Sequence, residues 1–166
     1  LPQAQQLLQQ ATALDPLHQR AQGELQRVTA TLNEKGFNEA MSQGYAALNA
    51  GRYDSARKSF SAAAKLQPGS KEAASALREV RSAETSRQLA SLEQQGRQDE
   101  QREQWQKAVA AYEQAQKIDS SVLFASEGLK RSRARAQLDQ QLLAAIDDPQ
   151  RLSDATVAAA TAQLLA

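Results

Sequence analysis

The amino-acid sequence predicts an all-α chain, and three observations support this prediction. Ala, Gln, Leu, Arg and Glu, which are all good helix formers, dominate the 166 residues, whereas valine and isoleucine are few. No stretch alternates apolar and polar residues as a half-buried β-strand does. Similar helical segments also recur along the chain at a fixed interval. Together these patterns predict an array of helical repeats.

The repeat interval is 52 residues, and it is clearest between GRYDSARKSFSAAAKLQP at 51–68 and WQKAVAAYEQAQKIDS at 105–120. The pairs that obey this offset are Gly44 and Gly96, Tyr53 and Trp105, Ala56 and Ala108, Phe60 and Tyr112, Ala63 and Ala115, and Pro68 and Ser120. The offset also reaches back to Ala4, Leu8, Ala11 and Pro16, and forward to Ala160 and Leu164. We therefore predict a single helical-repeat domain over 1–166, with a partial repeat at 1–16 and further repeats at 17–68, 69–120 and 121–166.

Each repeat is predicted to contain a long helix and then a short one. The first long helix is expected over 17–50 and its short helix over 53–66, separated by Gly51 and followed by the helix breakers Pro68-Gly69. Ser70 is the expected N-cap of the second long helix, which runs to about 101. The third is expected over 121–147, with an apolar stripe at 138–146 packed on a final short helix at 154–165, capped by Ser153 or Asp154.

The small residues of the repeat are predicted to be packing positions. Ala56, Phe60 and Ala63 lie on one face of the short helix, where alanine lets a neighbouring helix approach and the aromatic ring fills the adjacent space. Glycine inside a helix costs about 1 kcal/mol relative to alanine. The recurrence of Gly44 at Gly96 therefore indicates close contact between helices.

These residues resemble the tetratricopeptide repeat (TPR), in matched hairpins at 37–70 and 89–120 and a half-match at 3–16. The family repeats every 34 residues or so, and we expect the roughly 18 additional residues to extend the first helix of each hairpin. The resemblance implies an α-solenoid of alternating long and short antiparallel helices. A kink or a split near Lys35-Gly36 is left open.

The TPR resemblance also implies a scaffold that binds peptides or proteins along its first helices. The positions that clamp a C-terminal carboxylate in part of the family hold Met41 and Tyr45 in one hairpin and Glu93 and Arg97 in the other. Recognition of a free C-terminus is therefore not expected. These four residues remain candidates for a partner-binding surface.

The polar composition adds two further surface candidates. The nearly all-polar stretch at 93–106 is expected to project into solvent or to meet a partner. In the one basic cluster, at 130–135, Arg131 and Arg135 share a helix face, which is either a solvated surface or a docking patch for an acidic partner or a membrane surface. A net charge of +1 and the lack of interleaved aromatics argue against nucleic-acid binding.

No catalytic, cofactor-binding or metal-binding residues are predicted, and the chain is not expected to be an enzyme. Cysteine is absent, and the single histidine, His18, is interpreted as an ordinary surface residue near a helix start. Asp147-Asp148 precedes Pro149 and is interpreted as part of a turn. No apolar run is long enough to span a membrane.

Two functional hypotheses follow from the sequence. The first is a non-enzymatic adaptor that binds a protein or peptide partner. The second is a structural spacer or oligomerisation segment of a larger, envelope-anchored protein, since the chain starts without methionine and its composition fits a bacterial periplasmic protein. Self-association would use the apolar residues at the array ends, which are Leu7, Leu8, Leu14, Leu164 and Leu165.

Overall fold

The described part of the chain consists of helices joined by short turns and contains no β-strand, which confirms the all-α prediction. The computed structural model describes residues 1–147, 154–157 and 159. The helices with defined bounds are α1 (Pro2–Leu14), α2 (Gln19–Asn49), α3 (Tyr53–Leu66), α4 (Lys71–Gln101), α5 (Trp105–Ile118) and α6 (Leu123–Asp147). Ser153, Ala160, Leu164, Leu165 and Asp148-Pro149 lie outside the described residues, as does most of the helix expected at 154–165.

The helix bounds repeat with the 52-residue interval of the sequence. The long helices α2 and α4 have 31 residues each and begin at Gln19 and Lys71. The short helices α3 and α5 have 14 residues each and begin at Tyr53 and Trp105. Because α2 runs through Lys35 and Gly36 without a break, the additional residues lengthen one helix and do not form a separate one.

Side chains before the first two long helices cap their N-termini at equivalent positions. The Oγ of Ser70 accepts a hydrogen bond from the Ala73 backbone N–H at 3.2 Å, as the sequence predicts. At the equivalent position before α2, His18 Nδ1 accepts one from the Ala21 backbone N–H, also at 3.2 Å. The histidine that was interpreted as an ordinary surface residue therefore also caps a helix.

The long helices end in turns that require a left-handed residue. Gly51 follows α2 with φ +68°, and the backbone N–H of Arg52 reaches back to the carbonyl of Ala47 at 2.9 Å. Glu103 occupies the same position after α4, with φ +57°. The Gln104 N–H there reaches the carbonyl of Asp99 at 2.8 Å. These are the bonds of a Schellman-type C-cap, which normally favours glycine.

The chain divides into two compact units, the N-terminal unit (Leu1–Glu84) and the C-terminal unit (Thr85–Ala166). Their boundary lies within α4, between Glu84 and Thr85. The physical reason is that each half of α4 packs on a different short helix. Val80 belongs to the core around α3, whereas Leu92 packs with Ala115 of α5.

The core of the N-terminal unit is built around Phe60 of α3. Phe60, Ala56 and Ala63 have no solvent exposure, and they pack with Phe37, Met41 and Ala47 of α2 and with Ala73, Ala76 and Val80 of α4. The ring of Tyr45 meets Phe60 edge-on, with centroids 5.0 Å apart. Gly44 permits this approach, because a Cβ atom there would lie 2.4 Å from Phe60 Cε1.

Candidate partner-binding surface

The C-terminal unit places Tyr112 of α5 between glycines of the two helices that flank it. A Cβ atom at Gly96 of α4 or at Gly128 of α6 would lie 2.5 Å from Tyr112 Cζ. Since both helix backbones lie this close to the ring, the ring itself is buried. The equivalent of Gly128 in the N-terminal unit is Ala76. The methyl group of Ala76 packs in the same core cluster as Phe60, which lacks the hydroxyl group of Tyr112.

A polar network surrounds the hydroxyl end of Tyr112. Both oxygens of Glu100 bind the Arg131 guanidinium, with Oε2 to Nη2 at 3.0 Å and Oε1 to Nε at 3.2 Å. The buried hydroxyl of Ser132 donates to Glu100 Oε1 at 2.8 Å, and Glu100 also has a side-chain hydrogen bond with Tyr112. Carboxylate pairing of this bidentate kind fixes geometry as well as charge.

This environment lowers the pKa of Glu100 and raises the pKa of Tyr112. Burial alone raises the pKa of Glu100, but the hydrogen bonds from Arg131 and Ser132 together outweigh it, so its pKa lies below the ordinary value. Burial, reinforced by the negative charge of Glu100, raises the pKa of Tyr112 above its ordinary value. Glu100 is therefore ionised and Tyr112 is a neutral hydrogen-bond donor at neutral pH.

A small polar cavity opens beside this network. Its volume is about 110 Å³, and it is lined by Glu93, Arg97, Tyr112, Phe124, Glu127 and Arg131. Arg97 pairs with Glu93 across one helical turn at 2.6 Å. The volume is below the roughly 300–1,000 Å³ of small-molecule sites, so the cavity is the size for one inserted side chain. We refer to its six lining residues as the charged cavity.

Some positions in and beside the charged cavity are apolar or aromatic in the N-terminal unit. Leu48 stands there at the position of Glu100 and Val80 at that of Ser132, while Met41 and Tyr45 stand at those of Glu93 and Arg97. The counterparts of Phe124, Glu127 and Arg131 are the polar residues Glu72, Ser75 and Glu79. The packing positions of the two units agree, whereas the positions around the cavity differ in charge and polarity.

Asp99 is a second unusual group in the C-terminal unit. Its side chain is 7% exposed, and its Oδ2 atom has no hydrogen-bond partner among the described residues. The equivalent residue in α2 is Ala47, which is buried in the apolar core. A buried oxygen without a partner normally destabilises a fold.

The structure brings together three of the six residues predicted as a partner surface. Glu93, Arg97 and Arg131 line the charged cavity, whereas Arg135 is exposed on α6 but does not line it. Tyr45 is partly exposed and packs on Phe60. Met41 is only 4% exposed, so its assignment to a partner surface needs correction: its side chain belongs to the core of the N-terminal unit.

The predicted packing positions lie at the centres of the two units, with three exceptions. Those that are buried are Gly44, Ala56, Phe60, Ala63, Gly96, Ala108, Tyr112 and Ala115. Tyr53 and Trp105 are half-buried at the starts of their helices, and Pro68 is exposed in the connection between α3 and α4.

The polar stretch at 93–106 does not simply project into solvent, which corrects the expectation from its composition. Gly96 and Asp99 are buried, and the Glu100 side chain is 15% exposed in its pair with Arg131. The basic cluster is likewise engaged within the unit, because Arg133 pairs with Glu113 at 2.7 Å. The residues predicted from the sequence do not include Asp99, Glu100, Gly128 and Ser132. The signal for them is the 52-residue offset, which pairs them with the different residues Ala47, Leu48, Ala76 and Val80.

Comparisons with protein-family models, with curated proteins and with solved structures give no match for this chain. Within the described residues, no group of three or more His, Cys, Asp or Glu side chains is arranged to hold a metal ion. None of the described helices is both long and apolar enough to cross a membrane.

Proposed function

We propose that this chain is a non-enzymatic helical-repeat scaffold of TPR-like design that binds a protein or peptide partner. The observation that carries the proposal is the contrast between the two units. The pairs Gly44–Phe60 and Gly96–Tyr112 repeat the same helix packing, while the partly exposed Tyr45 and Leu48 correspond to the charged residues Arg97 and Glu100. A scaffold with constant packing and varied surface is the design of repeat proteins that recognise partners.

The charged cavity is the proposed contact point. It offers carboxylates and guanidinium groups around one opening, with the rings of Tyr112 and Phe124 in its wall. A charged side chain of the peptide could enter the cavity and pair with Glu93 or Arg97 in place of their contact with each other. The Arg97 side chain of this pair is largely exposed to solvent. A solvent-exposed ion pair contributes little to the stability of the fold. Breaking it to bind a peptide therefore costs little.

The test is selection of displayed random peptides on the immobilised chain, followed by affinity measurement with Arg97→Ala. We expect the selected peptides to bind Arg97→Ala at least tenfold more weakly. The matched control is Lys35→Ala, because Lys35 and Glu39 form a solvent-exposed pair with the same i,i+4 spacing in the N-terminal unit. Peptides that bind all three proteins equally, or a cofactor found at full occupancy in the purified chain, would contradict the proposal.

A further inference from the structure

Helix α1 carries an apolar stripe that is exposed at three of its four positions. Leu7 and Leu14 are 66% and 88% exposed, and they alternate with Ala4, which is exposed, and Ala11, which is half-buried, at a spacing that places all four on one side of the helix. None of the residues of α1 is buried, and its sequence contains no charged side chain. Isolated exposed leucines are common, but a contiguous stripe marks an interaction surface.

The equivalent positions of α3 are less exposed, and the last of them contacts the long helix that precedes it. Ala56 and Ala63, the counterparts of Ala4 and Ala11, have no solvent exposure. Leu66, the counterpart of Leu14, packs on α2 so closely that a Cβ atom at Gly36 would lie 3.0 Å from Leu66 Cδ1.

Helix α5 repeats this arrangement in the C-terminal unit. Ala108 and Ala115 are fully buried, and Ile118, at the position of Leu14, packs with Leu89 and Leu92 of α4. In both units the counterpart of Leu14 thus packs on the C-terminal half of the preceding long helix. Ala108 packs instead with Leu129 of the following helix α6. The contacts of Leu66 and Ile118 show what kind of element fits this end of a short helix.

The opposite side of α1 already has its neighbour. Gln5 Nε2 donates to Thr29 Oγ1 of α2 at 3.2 Å. In the same way, Arg57 of α3, the counterpart of Gln5, pairs with Glu84 of the long helix that follows it. Leu14 therefore lies at the end of α1 that contacts a preceding long helix in the other repeats.

We propose that the Ala4–Leu7–Ala11–Leu14 stripe is a docking site for an amphipathic helix that resembles the C-terminal half of α2. The partner helix would carry a glycine or alanine opposite Leu8, as Gly44 lies opposite Phe60, with apolar residues one turn away on either side. A second copy of the chain does not offer the matching faces of α2 and α4, because α3 and α5 cover them. The proposal is independent of the charged cavity.

The experiment supplies such a helix by fusing a copy of residues 19–52 directly before Leu1, which keeps the spacing found between α2 and α3. A tether is needed because a free peptide of this length is only marginally helical, and linkage raises its effective concentration. Hydrogen exchange of the α1 amides is measured with and without the fusion. We expect exchange in α1 to slow at least tenfold, while exchange in α5 is unchanged.

Two variants of the fused chain test the stripe itself. Leu14→Arg on the stripe should restore fast exchange in α1, whereas Gln6→Arg, at the exposed position equivalent to Lys58, should leave the protection intact. Unchanged α1 exchange in the fusion, or protection that survives Leu14→Arg, would overturn the proposal. Concentration-dependent dimerisation of the unfused chain with protection of α1 would also overturn it, because the occupant would then be a second copy.

Discussion

At the scale of single residues, glycine determines how closely the helices of each unit approach the central aromatic ring. We expect Gly96→Ala and Gly128→Ala each to destabilise the chain by about 1–3 kcal/mol, because the added methyl group would overlap the ring of Tyr112. The measurement is urea denaturation. Gly23→Ala is the control, since no atom lies within 4 Å of a Cβ there, and it should be neutral or stabilising by up to about 1 kcal/mol. Equal effects at all three glycines would contradict the packing described.

The size match between Tyr112 and Gly128 predicts energetic coupling between these residues. In the N-terminal unit, phenylalanine and alanine occupy the equivalent positions 60 and 76. We therefore expect Tyr112→Phe to reduce the cost of Gly128→Ala by more than about 0.5 kcal/mol in a double-mutant cycle. Strict additivity of the two substitutions would show that the tyrosine hydroxyl does not restrict the ring.

The Glu100 network predicts a loss of stability in acid. A carboxyl whose pKa is lowered by folding stabilises the folded chain above its ordinary pKa of about 4.5, and this contribution is lost as the pH falls through the folded-state value. At pH values below 4.5, we expect the free energy of unfolding to decrease less steeply with falling pH in Glu100→Gln than in the wild type. Glu24→Gln is the control, because Glu24 only pairs with Arg27 on an exposed surface. Parallel pH profiles for the wild type and Glu100→Gln would rule out this role.

At the scale of helices, the turns at the ends of α2 and α4 test the repeat directly. Glu103 adopts φ +57° where Gly51 adopts φ +68°, and a side chain in the left-handed region costs roughly 1–2 kcal/mol. We expect Glu103→Gly to stabilise the chain by up to about 1 kcal/mol, since glycine loses more chain entropy on folding. Gly51→Ala should destabilise it. Thermal unfolding of both variants provides the measurement, and destabilisation by Glu103→Gly would contradict the assigned turn.

Helix bounds could be predicted well from the sequence because they depend on local signals. Serine is a common residue at helix starts, and glycine and proline commonly end helices, as at Gly51, Pro68-Gly69 and Ser70. The cap formed by His18 and the left-handed turn at Glu103 could not be predicted, since neither residue type normally favours its position. Only the 52-residue comparison with Ser70 and Gly51 reveals them.

At the scale of the whole molecule, the interval of the sequence predicts which residues are equivalent but not which neighbours they contact. The boundary within α4 depends on long-range packing of Val80 and Leu92 on different short helices. The burial of Met41 and Glu100 depends equally on contacts made across helices. For the same reason the charged cavity could be predicted only in part, through Glu93, Arg97 and Arg131.

The central claim is that one packing arrangement is built twice, 52 residues apart, around Phe60 and Tyr112. Residue-resolved hydrogen exchange of the unmodified chain tests it most directly. The account predicts two maxima of protection, at 56–63 and 108–115, and much faster exchange at the equivalent positions 4–11, where no residue is buried. Protection of 4–11 equal to that of 56–63, or the absence of protection at 108–115, would contradict it.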